Sequence, residues 1–375
     1  QTLVTSQEVH SQIYQKLEEF HKISDYNNYL IYIFVKLENI PQNVSIRISA
    51  GLLLKNNIVQ YYEKFDPSVK QFIQQQSLVC LGDATDTIRT TAGAIIAAIV
   101  RRGRIQNWPN LLENLTAGLT NKATDPVFID GILSALKMIC EDCANEITDA
   151  RDENGAEKYD SVLGVLIPTF IQYLAHDVPQ FRCRALTCLN QFIVYMPNSF
   201  KKNFDEFLQR VFALASDPSP RTRKAVCTTF SYLATCLDFI LPKFDQIVPM
   251  MLHFTKDEDD EIAVEACEFW NVICEHIGAP DILRPHLPAL VPVLLDCMVY
   301  SEDDQFLLQS EQHDTDEPDQ EQDLEPIHYK SRGDNNDDED DYDDYSEWNL
   351  RKCAASALDF LSEIYHSELL SVLIP

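Results

Sequence analysis

Cys140 and Cys143, in "CEDC", have the spacing of a metal or redox pair. Such a site needs a second Cys or His pair close by, and the neighbouring residues supply none. The pair falls in the middle of a helical pattern and reads as buried apolar packing. "RRGR" at Arg101–Arg104 could hold a small anion. It also falls at a helix end, where cations complement the helix dipole, and that reading is preferred. "RGD" at Arg332–Asp334 reads as chance, and "NVS" at Asn43 and "NLT" at Asn114 lack a secretory context for glycosylation. The nine histidines are dispersed. No serine–histidine–acid order, glycine-rich phosphate loop or paired metal motif stands out. The sequence therefore reads as non-enzymatic, with no catalytic residues, no metal and no cofactor.

One dense cluster of ionisable groups remains. Asp337, Asp338, Glu339, Asp340, Asp341, Asp343 and Asp344 form an acidic run that ends just before Trp348. From Ser301 to Glu347 there are 20 Asp and Glu against Lys330 and Arg332, a net charge of −18. The run lacks the glycine of a calcium loop, which argues against tight calcium binding. It is too charged and too poor in apolar residues to fold alone. Its chemistry is that of an arm for basic proteins, with a solvated loop without a binding role as the alternative.

The rest of the chain must position that arm. The 375 residues carry a net charge of −29, so the body outside the acidic segment is also mildly negative. Such a body repels nucleic acid and anionic membrane. No apolar run is long enough to span a bilayer. Ten glycines are few for a protein of strands and tight turns, so helices are favoured. Eleven scattered cysteines read as small buried hydrophobes in a reducing compartment. The first residue is not Met and the last lies inside "ELLSVLIP", as expected for a piece of a longer chain.

A repeat organises the body. An apolar spacing of +4, +4, +3 occurs at Ile88, Ala92, Ile96, Ile99 and at Phe181, Ala185, Leu189, Phe192. It returns at Thr222, Val226, Phe230, Leu233, at Ile262, Ala266, Trp270, Ile273 and at Leu350, Ala354, Leu358, Leu361. Looser copies start at Ile46 and Ile129. The spacing places one stripe on one helix face. Successive copies lie 42, 41, 52, 41, 40 and 88 residues apart, and about 40 is the period of two-helix solenoid repeats. An Arg follows the first stripe position at Arg47, Arg89, Arg182, Arg223 and Arg351, whereas Asp130 and Ala263 break the pattern. An Asp precedes it at Asp83, Asp177 and Asp217. This is the pattern of HEAT repeats. The predicted fold is all-α, an α-α superhelix: a right-handed HEAT solenoid whose second helices line one continuous face. Trp270 and Phe230 are predicted core residues. The interval of 52 marks a longer turn around "DARDENGAEKYD". The interval of 88 marks an insertion between a first helix, 282–300, and its second, 347–365. Expected domains are HEAT repeats over 1–300, a largely disordered acidic loop over 301–346, and over 347–375 that second helix and the start of the next repeat.

Particular stretches resemble the amino-terminal arch of the karyopherin-β family of nuclear import receptors. They are "GLLLKNN" from Gly51, "QNWPNLLENL" from Gln106, "KMICEDCAN" from Lys137, "EACEFW" from Glu265, "RPHLPALVPVLL" from Arg284 and "WNLRKCAASALD" from Trp348. The resemblance runs in order through essentially the whole chain, the acidic insert included, and begins one helix late. It implies that the GTP form of the small GTPase Ran docks on the concave face and that the acidic loop couples docking to cargo release. It implies surface positions for the GTPase at Lys55, Asn56 and Asn57, at Glu141 and Asp142, and at Glu265 and Glu268. It also implies FG-repeat nucleoporins as partners and cargo with proline–tyrosine type nuclear localisation signals, bound mainly through a carboxy-terminal half. The expected receptor is a monomer that shuttles between cytoplasm and nucleus, without direct nucleic-acid binding or membrane insertion. A HEAT scaffold for an enzyme complex and an acidic-loop chaperone for basic proteins are the alternatives.

Overall fold

The computed structural model describes residues 16, 19–20, 23, 25–36, 43–121, 125–151, 155, 158–276, 278–299 and 348–373. The acidic segment expected over 301–346 lies outside the described residues. All the α- and 3-10 elements found among the described residues are helical, and the chain divides into two units at Thr229/Phe230.

The first unit holds α1 (Tyr26–Lys36), α2 (Asn43–Tyr61), α3 (Pro67–Val79), α4 (Asp86–Gly103), α5 (Leu111–Thr120) and α6 (Pro126–Asp149). It continues with α7 (Asp160–Tyr173), α8 (Pro179–Ile193), α9 (Asn198–Lys202) and α10 (Phe204–Leu214). Helix α11 (Pro220–Ala234) spans the division. The second unit holds α12 (Phe244–Phe254), α13 (Asp260–Cys274), α14 (Ala279–Leu283), α15 (Leu287–Asp296), α16 (Leu350–Tyr365) and α17 (Ser367–Leu373).

Local sequence accounts for the helix boundaries. Pro67, Pro126 and Pro179 open α3, α6 and α8, where a missing N–H costs nothing. Asp125, Asp259 and Asn349 cap α6, α13 and α16 by accepting from Val127 N, Glu261 N and Lys352 N. Pro168, Pro249 and Pro292 lie inside α7, α12 and α15, so each of these helices lacks one backbone bond at that point.

In the first unit α2, α4, α6 and α8 pack side by side in sequence order. In the second, α13 packs on α16. The stripes of α4, α8, α11 and α13 are buried throughout, Phe230 and Trp270 completely. Helix α6 approaches the backbone of the 80–82 turn so closely that a Cβ on Gly131 would lie 2.0 Å from the Leu81 carbonyl oxygen. Glycine is required there because the opposing atom is backbone and cannot move aside.

Three expectations need correction. Ile46 is 52% exposed, whereas Arg47 is 4% exposed. The Arg47 guanidinium donates to the Phe34 carbonyl at 2.7 Å and pairs with Asp83, so a satisfied cation takes the core position that an apolar count gave to Ile46. In α16 the buried face is Cys353, Ala354, Ala357, Leu361 and Tyr365, with Leu350 and Leu358 at its flank. The helix expected over 282–300 is divided into α14, a 3-10 turn at Arg284–His286 and α15.

The Arg/Asp pattern forms bonds between repeats. Arg89 reaches Asp130 with Nε at 3.0 Å and NH2 at 2.9 Å. Arg182 grips both oxygens of Asp217, at 2.6 and 2.9 Å. Asp130 also accepts from Arg184, whose guanidinium donates to the Asp130 carbonyl at 2.8 Å as well. Asp130, one of the two residues that break the Arg pattern, thus joins α6 to the helices on both sides of it.

Candidate protein-docking surface

Helix α2 buries Arg47, Ala50, Gly51, Leu54, Asn57 and Ile58, which turns Lys55 and Asn56 away from the core. Lys55 is half-buried, Asn56 is exposed, and neither side chain has a hydrogen bond or ion pair among the described residues. Asn57 is different. It is 4% exposed and its amide donates to Asn27 Oδ1 at 2.9 Å, so it ties α2 to α1 and is not a surface position.

Glu141 and Asp142 lie on α6, two helices along the same array, and both are exposed. Glu141 pairs with Lys137 at 3.4 Å one turn earlier, and Asp142 faces Arg101 of α4 at 3.9 Å. Exposed pairs of this kind contribute at most about 1 kcal/mol and yield readily to a partner. The backbone leaves helical geometry directly afterwards, at Cys143 with φ −135° and ψ 15°. The two carboxylates therefore sit at a bend. The array presents a lysine and an amide on α2 and two carboxylates on α6.

The cysteines beneath these carboxylates are inert. Cys140 is fully buried and Cys143 1% exposed. Burial pushes the Cys143 thiol up to about 12, and the charges of Glu146 and Asp142 add to this. Among the described residues no three His, Cys, Asp or Glu side chains converge as metal ligands. An unfolded thiol ionises near about 8.5. The neutral thiol's contribution is fully present below that value and is lost as pH rises toward about 12. The expected result is that native protein at pH 8.5 carries no stoichiometric zinc and that Cys140 and Cys143 resist iodoacetamide until denaturant is added. Zinc that is lost in a Cys143→Ala variant would overturn this assignment.

In the second unit Glu265 and Glu268 are half-buried on α13, off the Ile262, Ala266, Trp270 stripe. Glu268 accepts a hydrogen bond from the Trp348 indole N–H. Trp348 is the first described residue after the acidic segment, and Asn349 caps α16 immediately after it. Glu268 therefore ties α13 to the residue next to the cap of α16, a role that residues 80 positions apart gave no local sign of. Deeper in, the Asn271 amide donates to Cys353 Sγ at 3.2 Å, fastening α13 to α16. On the other side of the segment α15 ends at Asp296, which pairs with Lys256 at 2.8 Å. The sequence-predicted positions Asp337, Asp338, Glu339, Asp340, Asp341, Asp343 and Asp344 lie outside the described residues.

Family comparisons agree with this architecture. Residues 13–83 match the Importin-beta N-terminal domain, and residues 85–230 match the Exportin 1-like protein family. The chain belongs to the importin-β, or karyopherin-β, family. Within it the similarity is to the amino-terminal part of transportins. The chain is 38% identical to Transportin-1 of Mus musculus over 97% of its own length and 41% of the relative's. It is 39% identical to Transportin of Dictyostelium discoideum over 86% of the chain and 33% of the relative. The chain thus spans about two fifths of the length of the mouse relative. The solved structure of importin beta in an ammonium sulfate condition superposes with a TM-score of 0.70 at 18% identity, covering 99% of this chain and 41% of that one. The fold is accordingly the α-α solenoid of stacked helical repeats. Two structures of Kap95 also superpose over 99% of this chain and 40% of theirs. One is a Kap95:Nup1 complex, with a TM-score of 0.60 at 16% identity. In the other, Kap95p binding induces the switch loops of RanGDP to adopt the GTP-bound conformation, with a TM-score of 0.61 at 16% identity.

Proposed function

We propose that this chain is the GTPase-docking and loop-bearing part of a nuclear transport receptor. In this reading the GTP form of Ran docks on the helix array that carries Lys55, Asn56, Glu141 and Asp142. The acidic segment then biases the receptor between its cargo-bound and GTPase-bound states. The observation that carries the reading is the 38% identity to a transportin along 97% of the chain, through both flanks of the acidic insert. Kap95 complexes with Ran and Nup1 support Ran and FG-repeat nucleoporins as partners, since the fold is shared. The likeness to transportins supports cargo with proline–tyrosine type signals and shuttling between cytoplasm and nucleus.

The contribution of the acidic segment is electrostatic. Twenty acids between Ser301 and Glu347 steer a basic partner and raise its association rate by about 10- to 1,000-fold. Their reach is about 8 Å at physiological salt, so the effect is salt-sensitive. Coupling requires that the segment interact differently with the two states, because a ligand shifts an equilibrium only through differential affinity. The test replaces residues 303–344 with a short neutral linker. Helix α16 is expected to stay folded, because its buried face rests on α13 and α15. Association with Ran–GTP is expected to slow about tenfold or more and to lose its salt dependence. An unchanged rate and salt slope would reduce the segment to a spacer.

A further inference from the structure

A cavity of about 540 Å³ lies between the Tyr62–Lys64 turn, the start of α3 and the end of α4. This is within the roughly 300–1,000 Å³ of small-ligand sites. We propose that it binds a phosphoryl dianion, either free or carried on a peptide side chain. The inference does not depend on the transport reading.

Charge is the first observation. In a chain of net charge −29, the lining holds Lys70, Arg102 and Arg104 against the single carboxylate of Glu63. The arginines at Arg47, Arg89, Arg182 and Arg184 are all paired within the repeat ladder. The Arg102 and Arg104 guanidinium groups, by contrast, have no hydrogen bond or ion pair among the described residues. They do not serve the carbonyls at the end of α4 either. The Gly103 carbonyl takes the Asn107 amide at 2.6 Å instead.

Backbone geometry is the second observation. Arg104 has φ 64° and ψ 140°, a conformation that glycine adopts easily and a residue with a Cβ does not. Glycine is present one position earlier for a separate reason. A Cβ at Gly103 would lie 2.5 Å from the Tyr62 ring. The positive φ then falls on position 104, where a long cation is held in a strained conformation at the cavity edge. Such outliers are enriched at ligand clamps, and Asn110, Met196 and His366 also carry positive φ elsewhere in the chain.

Lys70 is fixed on the opposite wall. Its amine donates to the Glu63 carbonyl at 3.2 Å and lies 5.1 Å over the Tyr62 ring. Two guanidinium forks and a fixed amine match a compact anion with several acceptor oxygens. An extended acidic peptide fits less well, because it brings further carboxylates to a chain of net charge −29. A single dianion places its charge where the lining is positive.

The test measures Tm of the intact chain in inorganic phosphate and in sodium chloride of equal ionic strength. Phosphate is expected to raise Tm by several degrees, and the rise to vanish in Arg102→Gln and Arg104→Gly. Arg104→Gly places glycine at the positive φ, so its Tm in chloride is expected to equal or exceed the parent's, which separates loss of binding from loss of fold. A fluorescent phosphoserine peptide, otherwise uncharged, is expected to bind at least tenfold more weakly to both variants. Peptide affinity tenfold above that of inorganic phosphate assigns the site to a phosphorylated segment, and equal affinity assigns it to the free anion. A phosphate effect of the same size in parent and variants, or no effect in the parent, overturns the proposal.

Discussion

Replacing Trp270 with alanine is expected to destabilise the second unit by about 3–5 kcal/mol. Trp270 is fully buried in α13 and is among the largest side chains that lose all solvent contact. Its indole N–H donates to Thr255 Oγ1 at 3.0 Å, and its ring meets Phe269 edge-on at 5.0 Å. The truncation removes apolar burial and leaves a cavity lined by helices of two repeats. In stacked repeats each unit depends chiefly on its neighbours, so the loss is local at first. Hydrogen exchange is expected to accelerate in α12, α13 and α16 before α4 or α6 responds. Unchanged exchange and an unchanged Tm would mean that α13 buries another face.

Asp130→Ala is expected to cost about 3–5 kcal/mol in the first unit, the range for removing one partner of a buried ion pair. The Asp130 side chain is 9% exposed, and those of Arg89 and Arg184 are 11% and 14% exposed. Without the carboxylate, Arg89 keeps the exposed Asp86 at 3.0 Å and the Asp83 carbonyl at 2.8 Å. Arg184 keeps only its bond to the Asp130 carbonyl among those contacts. Two half-desolvated cations then lie in one interface. Urea denaturation read by tryptophan fluorescence and by exchange in α4, α6 and α8 checks this. Asp130→Asn retains acceptor capacity and is expected to recover part of the loss. A loss within 0.5 kcal/mol of the parent, as is usual for surface substitutions, would show that the ladder does not bear on stability.

These two residues show how far the sequence was legible. Trp270 was readable because its helix follows a +4, +4, +3 stripe that a solvent-facing helix would not keep. Asp130 stands out in the sequence only as an exception, since apolar periodicity assigns no value to a carboxylate. Its role depends on arginines 41 residues before and 54 after it. The same blindness placed Ile46 in the core instead of Arg47, whose charge is satisfied by Phe34 and Asp83. Asn57 followed from likeness alone, and its bond to Asn27 removes it from the surface. The Trp348–Glu268 contact and the bend at Cys143 leave no periodic trace and were visible only in three dimensions.

The central claim is that this chain docks the GTPase in a nucleotide-dependent manner through the α2–α6 array. Titration of the chain with Ran–GTP and Ran–GDP, by calorimetry at fixed salt, tests it most directly. The account predicts binding of the GTP form tighter by about tenfold or more, the scale of an ordinary coupling free energy. It also predicts that Lys55→Ala together with Asp142→Ala narrows that difference while Tm stays unchanged. Equal affinity for the two nucleotide forms, or a difference untouched by the double substitution, would contradict it.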